Sequence, residues 1–465
     1  MTPAPSPRPL ANPRFRRLFT AQVIALVGTG MSTVALSLLA FALGGTHAAA
    51  ILGAALALKM VAYVFFAPVF GGLAHRLPRR PFLVTMDLVR AAVLLALPWI
   101  DALWQVLALI FLLNLCASGF KPVFSATIAD LLPDEAEYTR ALALSRLAYD
   151  LEALLSPVLA GAALLLISYD GLFALNALAF LVSAVLVART LLPAARAPER
   201  AGTLGAEILF GVRAYLATPR LRGLLALYLA VAGASAMVIV NTVVYVRDTL
   251  GAGESMVAIA LGAAGAGSML TALAVPRLLA HISERRLMLG GATLLGVGLL
   301  LVASGPGLGG LLAIWLLVGA GLSLVQTPAG RVVNRSAAAG DRAAYFSAHF
   351  SLSHACWLVF YLLAGALGAA LGTPATALLL GLAALACTVL AARLWPRDDR
   401  AVLEHHHRAL DHDHLHTHDS HHDHPHAGWE GPEPHRHRHH HQALRHAHDF
   451  VIDTHHPVWP DARPA

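Results

Sequence analysis

The sequence predicts an all-α membrane protein with twelve transmembrane helices, arranged as two six-helix halves, followed by a disordered cytoplasmic C-terminal tail. Of its 465 residues, 57% are hydrophobic and only 13% are charged, whereas soluble domains carry about a quarter charged residues. The mean hydropathy is +0.65. Most of the chain therefore cannot face water.

Twelve apolar runs are long enough to cross a bilayer, whose hydrocarbon core of about 30 Å takes about 20 helical residues. Each run is expected to be a helix, because lipid offers no partner for an unpaired backbone group. The predicted spans cover residues 19–43, 49–73, 82–99, 103–124, 142–167, 170–190, 222–246, 255–279, 287–304, 308–328, 343–369 and 374–395.

The positive charges predict the orientation. They lie before span one and after the even-numbered spans, with Lys121 and Arg140 counted at the end of span four, whereas the odd-numbered loops hold only Arg247. By the positive-inside rule, both termini are expected to be cytoplasmic in a bacterial inner membrane. The net charge of +6 follows from this asymmetry and calls for no nucleic-acid partner.

Several protein classes are disfavoured. The first apolar run is too long for a cleavable signal. Cys116, Cys356 and Cys387 are scattered within spans, which predicts neither a disulfide framework nor a thiolate metal site. A nucleotide-binding P-loop is missing from the sequence, which disfavours ATP-driven pumping. No catalytic centre and no permanently bound cofactor are expected.

An internal repeat predicts the division into halves. LAHRLPRR at residues 73–80 and LAHISERR at residues 279–286 agree at five of eight positions, each after the second span of a half. Parallel repeats of this kind are common in secondary transporters. The expected domains are an N-terminal segment 1–18, a first half 19–190, a linker 191–221 with the amphipathic stretch EILFGVRAYL, a second half 222–395 and a His-rich tail 396–465.

GGLAHRLPRR at residues 71–80 resembles the signature G-x-x-x-D-R-x-G-R-R/K that the major facilitator superfamily carries between helices two and three. The matching positions are Gly71, Arg76, Arg79 and Arg80. His75 and Pro78 replace the Asp and Gly of the family. Asp87 and Arg90 are similar to the charged pair that follows the signature in exporter branches. The resemblance implies that the three signature arginines, Asp87 and Arg90 act in gating.

Two further stretches narrow the resemblance. SPVLAG at residues 156–161 resembles the G-P-x-x-G element of antiporters in the superfamily. SLSHACWLVFYLLAG at residues 351–365, together with the His-rich tail, resembles the NreB-type nickel-resistance exporters. This resemblance implies a monomeric exporter of Ni²⁺, with Co²⁺ as a second substrate, driven by an inward flow of protons.

The tail predicts metal binding directly. Twenty of the 25 histidines follow Glu404, and neutral imidazole is a common metal ligand. Because the tail lacks sulfur ligands, it favours Ni²⁺, Zn²⁺, Co²⁺ or Cu²⁺ over Cu(I), without deciding among them. The predicted metal ligands are His412, His414, His416, His418, His421, His422, His424, His426, His435, His437, His439, His440 and His441.

Polar residues within spans are costly and therefore mark a candidate transport pathway. On span eleven, one stripe comprises Tyr345, His349, Ser353 and Cys356, and a second comprises Ser347, His354 and Tyr361. The two stripes lie about 140° apart at about 3.6 residues per turn, so both cannot face one cavity squarely. Each histidine is either a metal ligand of the pathway or a hydrogen-bonding residue between helices.

Span five supplies a candidate proton carrier. Glu152 lies near mid-depth without an evident local partner, and a carboxylate so placed can take up and release a proton. Arg146 and Asp150, one turn apart, are expected to pair with each other. Asn241 on span seven is a further pathway candidate. Weaker cavity-lining candidates are Lys59, Asn114 and Gln326.

Three functions are compatible with these patterns. The first is a proton-coupled exporter of a divalent metal. The second is an exporter of an organic compound, such as a drug or a siderophore, with the tail as an accessory, because a fold of this kind does not decide its substrate. The third is a metal sensor that keeps the helices as an anchor.

Overall fold

The computed structural model describes residues 8–44, 48–100, 102–195, 203–399, 402–407, 410–416, 435–441, 444–452, 456 and 458–460. Long apolar helices account for most of these residues, which form a membrane-spanning bundle of the predicted all-helical class.

Six helices make up the first half. They are α1 (Pro13–Gly44), α2 (Ala48–Val61, a π-helical turn Ala62–Phe66, then Ala67–Leu73), α3 (Arg79–Ala96), α4 (Leu103–Leu131), α5 (Glu135–Leu164) and α6 (Tyr169–Ala188). The Asp134 side chain begins α5 by accepting a hydrogen bond from the Glu137 backbone N–H at 2.7 Å. The axis of α5 bends by 40° between Ser156 and Val158, where Pro157 offers no backbone N–H to the helix.

The second half repeats this arrangement. Its helices are α7 (Pro219–Thr249), α8 (Glu254–Leu278), α9 (Glu284–Ala303), α10 (Leu308–Asn334) and the continuous stretch Arg342–Leu394. A separate helix, Leu204–Ala217, joins the halves and is called the linker helix below. Its first turn is capped by Thr203, whose hydroxyl accepts from the Ala206 N–H.

The stretch Arg342–Leu394 makes two passes. Its 53 residues would extend about 80 Å as one helix, far more than the roughly 30 Å of hydrocarbon. The helix breaks at Gly372, whose φ of 77° and ψ of 168° suit a residue without a Cβ. Residues 342–371 form α11 and residues 373–394 form α12, so the described chain crosses twelve times, as the hydropathy predicts.

The halves meet along two helix pairs, α5 with α8 and α2 with α11. Within each half, α1 and α3 pack on α6, and α8 and α9 pack on α10. α11 also contacts α7 and the linker helix. Residues at mid-length of α2, α4, α5 and α11 therefore lie near the middle of the molecule, at the junction of the halves.

The tail contains regular structure in its described parts, whereas the sequence predicts disorder there. β1 (Val402–His407) pairs with β4 (Leu444–Asp449), and β2 (Leu410–His416) pairs with β3 (His435–His441), both antiparallel. β1 follows closely on α12, and β4 runs directly into a segment that packs on the second half. Both ends of the tail are thus held close to the bundle, which favours pairing between its arms.

The described residues of that segment are 450–452, 456 and 458–460. Phe450 and Ile452 are only 3% and 4% exposed, and the Tyr345 hydroxyl donates a hydrogen bond to the Ile452 carbonyl at 3.2 Å. The Arg220 guanidinium lies 5.1 Å from the centre of the Trp459 ring. The segment is thereby fixed to the ends of α7 and α11.

Candidate functional site

The halves are joined by ion pairs at one end of the bundle. This end carries the connections after α2, α4, α8 and α10, with arginines in them or on the adjoining helix ends, and is called the basic end below. At the end of α4, Asp130 accepts a hydrogen bond from Arg79 of α3 at 2.5 Å and also pairs with Arg342 at the start of α11. This Asp130 cluster therefore connects the first half to the second.

A second ion-pair cluster at this end has the same arrangement, with an arginine in the place of Asp130 and glutamates in the places of Arg79 and Arg342. Arg331, near the end of α10, donates to Glu284 at the start of α9 at 2.8 Å. It also pairs with Glu135 and donates to the Thr139 hydroxyl at 2.8 Å, both on α5 of the first half. In each cluster, the third and fourth helices of one half hold the beginning of the fifth helix of the other half. Breaking both would let the basic end open.

The arginines of the signature have different partners. Arg79 belongs to the Asp130 cluster, whereas Arg76 donates to Glu207 of the linker helix at 2.7 Å. His75, which replaces the carboxylate of the signature, lies 3.9 Å from the same Glu207. Arg80 is exposed. The family signature has an aspartate where this chain has His75. In this chain, the carboxylate that pairs with Arg79 of the signature is Asp130, on a different helix.

Gly71 of the signature allows α2 and α11 to touch. A Cβ at this position would overlap the Ser347 side chain and approach the Ala343 carbonyl oxygen to 3.0 Å. Any larger residue would force the two helices apart. The glycine therefore sets the contact between the halves beside the Asp130 cluster.

Asp87 and Arg90 lie inside the first half. Asp87 is fully buried, pairs with Arg90 and accepts from the Ser183 hydroxyl of α6 at 2.7 Å. The Arg90 guanidinium lies 4.4 Å and 4.3 Å from the ring centres of Phe120 and Phe180. The pair therefore connects α3, α4 and α6 within one half and does not bridge the two halves.

Arg146 forms a polar contact between the halves at greater depth. It pairs with Asp150 at 2.9 Å, which confirms the pair predicted from their spacing. It also donates to Gln326 of α10 at 2.9 Å and to Ser268 of α8, and Ser268 donates to Asp150 at 2.7 Å. Asp150 is therefore committed to holding α5 against the second half.

Glu152 faces a different environment. Its carboxylate lies over Gly30 of α1, and the charges of Lys121 and Lys59 act on it from α4 and α2. The prediction that Lys121 belongs with the charges flanking span four is wrong, because α4 continues to Leu131 and places Lys121 well inside the bundle. Glu152, Lys59 and Lys121 therefore form a mid-membrane group that sequence spacing did not identify.

His349 points away from that group. Its Nδ1 lies 3.1 Å from the hydroxyl of Tyr215 on the linker helix, and its ring contacts Tyr228 of α7 edge-on at 4.7 Å. Burial raises the pKa of Tyr215 well above its usual value, so the phenol stays protonated and can donate to Nδ1. His349 thus links α11 to the linker helix.

His354 points toward the first half. Its ring lies 4.8 Å from the ring of Tyr63 on α2 and 4.1 Å from that of Phe350, and its Nδ1 lies 2.7 Å from the Phe350 carbonyl oxygen. A neutral ring donates through Nδ1 in this contact, which leaves Nε2 with a free lone pair. Of the two span-eleven histidines, His354 is the one that shares the Tyr63 ring with Lys59 and Lys121.

The other predicted pathway residues make contacts within or between packed helices. The Ser353 hydroxyl donates to the Phe350 carbonyl within α11 at 3.0 Å. Asn241, in a π-helical turn of α7, donates to the Ala364 carbonyl of α11 at 3.2 Å. Cys356 is buried within the second half. Of these three residues, only Asn241 bridges α7 and α11.

No group of three His, Cys, Asp or Glu side chains suited to a metal occurs among the described residues. The predicted tail ligands His412, His414, His416, His435, His437, His439, His440 and His441 lie on β2 and β3. The others, His418, His421, His422, His424 and His426, lie outside the described residues. The tail and the bundle are therefore distinct candidate sites.

Several of these residues were missed by sequence reasoning. They are Asp130, Glu135, Glu284, Arg331, Arg342 and Lys121. One available signal was the repeat itself, since Glu284 stands directly before the paired arginines of its second copy. For Lys121, the signal was an isolated charge close to the end of an apolar run.

The chain belongs to the Major Facilitator Superfamily, whose family model matches residues 18–241 and 224–417. A relative is an uncharacterized MFS-type transporter of Bacillus subtilis, YfiS, which is 26% identical over 333 residues covering 67% of this chain and 76% of the relative. This membership makes the chain a multi-pass membrane transporter.

Solved structures share the fold. The human organic anion transporter MFSD10 aligns with a TM-score of 0.71 at 16% identity, over 81% of this chain and 98% of that one. A bacterial homologue of the iron transporter ferroportin, in an outward-facing state, aligns with a TM-score of 0.66 at 16% identity, over 82% and 97% of the two chains. At such identities the likeness extends to the fold alone.

Proposed function

We propose that the protein is a proton-coupled exporter of divalent transition metal, with Ni²⁺ as the first candidate and Co²⁺ as the second, in a bacterial inner membrane. The observation that carries the proposal is the register of the tail strands. His412, His414 and His416 of β2 stand opposite His439, His437 and His435 of β3. His405 of β1 stands opposite His446 of β4.

This register suits metal binding. Directly opposed residues of an antiparallel pair have Cβ atoms about 4.5–5.5 Å apart, a separation at which two imidazoles can share one ion. Three such pairs follow one another at alternate positions of the same ladder, and alternate residues share one face of a strand. Metal held there would raise the local concentration at the mouth of the transporter.

The bundle would supply the transport step. With the arginine-rich loops in the cytoplasm, the basic end is the inner end, and the Asp130 and Arg331 clusters are its gate. Opening would admit the ion from the tail, and closing would release it on the other side. Glu152 is the carboxylate proposed to take up a proton as the substrate leaves, because Asp150 is already committed to Arg146 and Ser268.

One observation favours a second candidate, export of an organic anion. Lys59 and Lys121 place two positive charges beside Glu152, which would repel a bare divalent cation and attract a carboxylate. On this alternative the metal-binding tail is an accessory. The likeness to an organic anion transporter extends to the fold, so it supports this alternative no more than the ferroportin homologue supports metal.

The test is transport into inverted membrane vesicles under an imposed pH gradient, with Ni²⁺, Co²⁺, Zn²⁺ and Cu²⁺ measured in parallel. We expect accumulation of Ni²⁺ that collapses when the gradient is dissipated. Vesicles that contain the Glu152→Gln variant are the matched control, because the amide keeps the shape of the side chain but carries no proton. Equal metal content in vesicles with and without the protein would refute metal export.

A further inference from the structure

The chain contains only two lysines, Lys59 and Lys121, and both lie inside membrane helices. Every other basic residue among its 33 lysines and arginines is an arginine. The arginines form most of the described ion pairs. Arg90 and Arg146 also lie within membrane helices, but each is paired with an aspartate of its own helix.

The two lysines converge on one ring. The Lys59 Nζ lies 5.7 Å and the Lys121 Nζ 5.2 Å from the centre of the Tyr63 ring, and Lys121 is also 5.8 Å from the centre of the Phe350 ring. The distance between the two Nζ atoms therefore cannot exceed the sum of their two distances to the centre of the Tyr63 ring. Both side chains are half-buried, so each keeps some accessible surface.

Their charge is only partly compensated. Among the described residues, neither ammonium has a carboxylate within the 4.0 Å of an ion pair. Glu152 is the acid on which both charges act, and one carboxylate balances one lysine. Charged side chains inside a membrane are costly and mark substrate pathways. An anionic group of a substrate would supply the missing negative charge.

The backbone around Tyr63 is also unusual. Tyr63 lies in the π-helical turn Ala62–Phe66 of α2, and such turns are rare and occur often at functional sites. In this turn the Val64 carbonyl accepts a hydrogen bond from Ser351 of α11 at 2.5 Å. The turn that carries the Tyr63 ring is thereby bonded to the opposite half.

We infer that Lys59 and Lys121, with Tyr63 between them and His354 beside them, form a site for the carboxylate groups of an anionic ligand, and that the metal leaves the cell as an anionic carboxylate chelate. The inference rests on the proposed function in taking this site as the transport site. Lysine suits the task because its ammonium is a compact charge with three rotatable donors. Nε2 of His354 offers a lone pair to a metal that the chelate leaves partly open.

The rarity of lysine makes the test direct. Reductive methylation of the full-length protein with ¹³C-formaldehyde labels only the two lysines and the amino terminus, and the labelled methyl groups are observed by NMR. The probes are citrate, Ni²⁺–citrate and, as controls, inorganic phosphate and chloride at equal ionic strength. We expect citrate to shift both lysine signals in a saturable manner while the signal of the amino terminus stays unchanged.

Variants assign and quantify the site. Lys59→Gln and Lys121→Gln should each remove one signal and weaken citrate binding about tenfold or more, since each loses a charge-assisted contact. Lys59→Arg and Lys121→Arg keep the charge and should retain most of the affinity. Arg80→Gln, at the exposed end of the signature loop, should bind citrate like the wild type.

The outcomes separate this inference from the proposed function. If citrate leaves both lysine signals unchanged, or if the glutamine variants bind citrate as tightly as the wild type, the anionic site is refuted. Uptake of Ni²⁺ without citrate at equal rates in wild type and in Lys59→Gln would leave metal export standing while overturning the chelate. Citrate binding at the lysines without any metal-dependent uptake would retain the site and overturn metal export.

Discussion

Replacing Arg342 with Gln should loosen the closed basic end without unpairing a buried charge. In this variant Asp130 keeps its 2.5 Å hydrogen bond to Arg79, and only the bond between the halves is lost. The two side chains of the lost pair are 23% and 12% exposed. A hydrogen bond to a charged group contributes about 1.5–3 kcal/mol, and the partial exposure favours the lower end of that range. About 1.5 kcal/mol corresponds to roughly a tenfold shift toward the open basic end.

Pulsed EPR can measure this shift. Spin labels at Ala136→Cys on α5 and Ala339→Cys between α10 and α11, with the native cysteines replaced by alanine, report the distance between the halves. We expect Arg342→Gln to increase the population at long distance, whereas Arg16→Gln, an equal change at an exposed arginine, should not.

The second cluster provides an additivity test. Arg331→Gln removes two contacts between the halves, to Glu135 and Thr139, so its shift should be at least as large as that of Arg342→Gln. The clusters share no residue, so the double variant should show the sum of the two free-energy changes. A distance distribution for Arg342→Gln indistinguishable from that of the wild type would refute the assignment of the Asp130 cluster as a gate.

The remaining predictions concern the proton carrier, the span-eleven histidines and the tail. Glu152→Gln should abolish transport driven by a pH gradient while the protein still elutes as a single species by size exclusion; unchanged transport would assign Glu152 to packing. Replacing His349 and His354 together should eliminate metal resistance of a sensitive host, whereas deleting residues 404–465 should only weaken it, with protein levels checked by blot. Full-length protein should bind several more Ni²⁺ ions than the truncated chain by calorimetry, and the difference should vanish as the pH falls through about 6, because protonated imidazole has no lone pair for a metal. Trp459→Ala should release the docked C-terminal segment and increase tryptic cleavage of the tail; an unchanged digestion pattern would contradict the role of the Arg220 contact.

Several features of the structure could be predicted from residues that are close together in the sequence. Hydropathy predicted twelve crossings, because the requirement to satisfy backbone groups in lipid acts on each segment separately. The Arg146–Asp150 pair followed from residues one turn apart on a single helix. The signature at residues 71–80 led to the superfamily that the family model confirms. Each of these depends on residues that are close in sequence.

The ion-pair clusters at the basic end depend on contacts that no local pattern contains. Asp130 and Arg342 are 212 positions apart, and Arg331 and Glu135 are 196 apart. Their pairing requires the two halves to be assembled in one particular state. The sequence placed gating on the signature arginines. Only the packed bundle revealed that the acidic partner of Arg79 lies on α4 and that of Arg76 on the linker helix.

By itself the sequence determined the class of the protein, its number of crossings, its family and the unusual histidine content of its tail, since all four are properties of composition and of short stretches. Only the tertiary structure decided that His354 rather than His349 contacts the Tyr63 ring that Lys59 and Lys121 approach. The physical reason is that helical periodicity fixes which residues share a stripe, whereas the rotation of a helix about its own axis is set by packing against its neighbours. For α11, the close approach to α2 at Gly71 and the contact of Tyr215 with His349 settle that rotation.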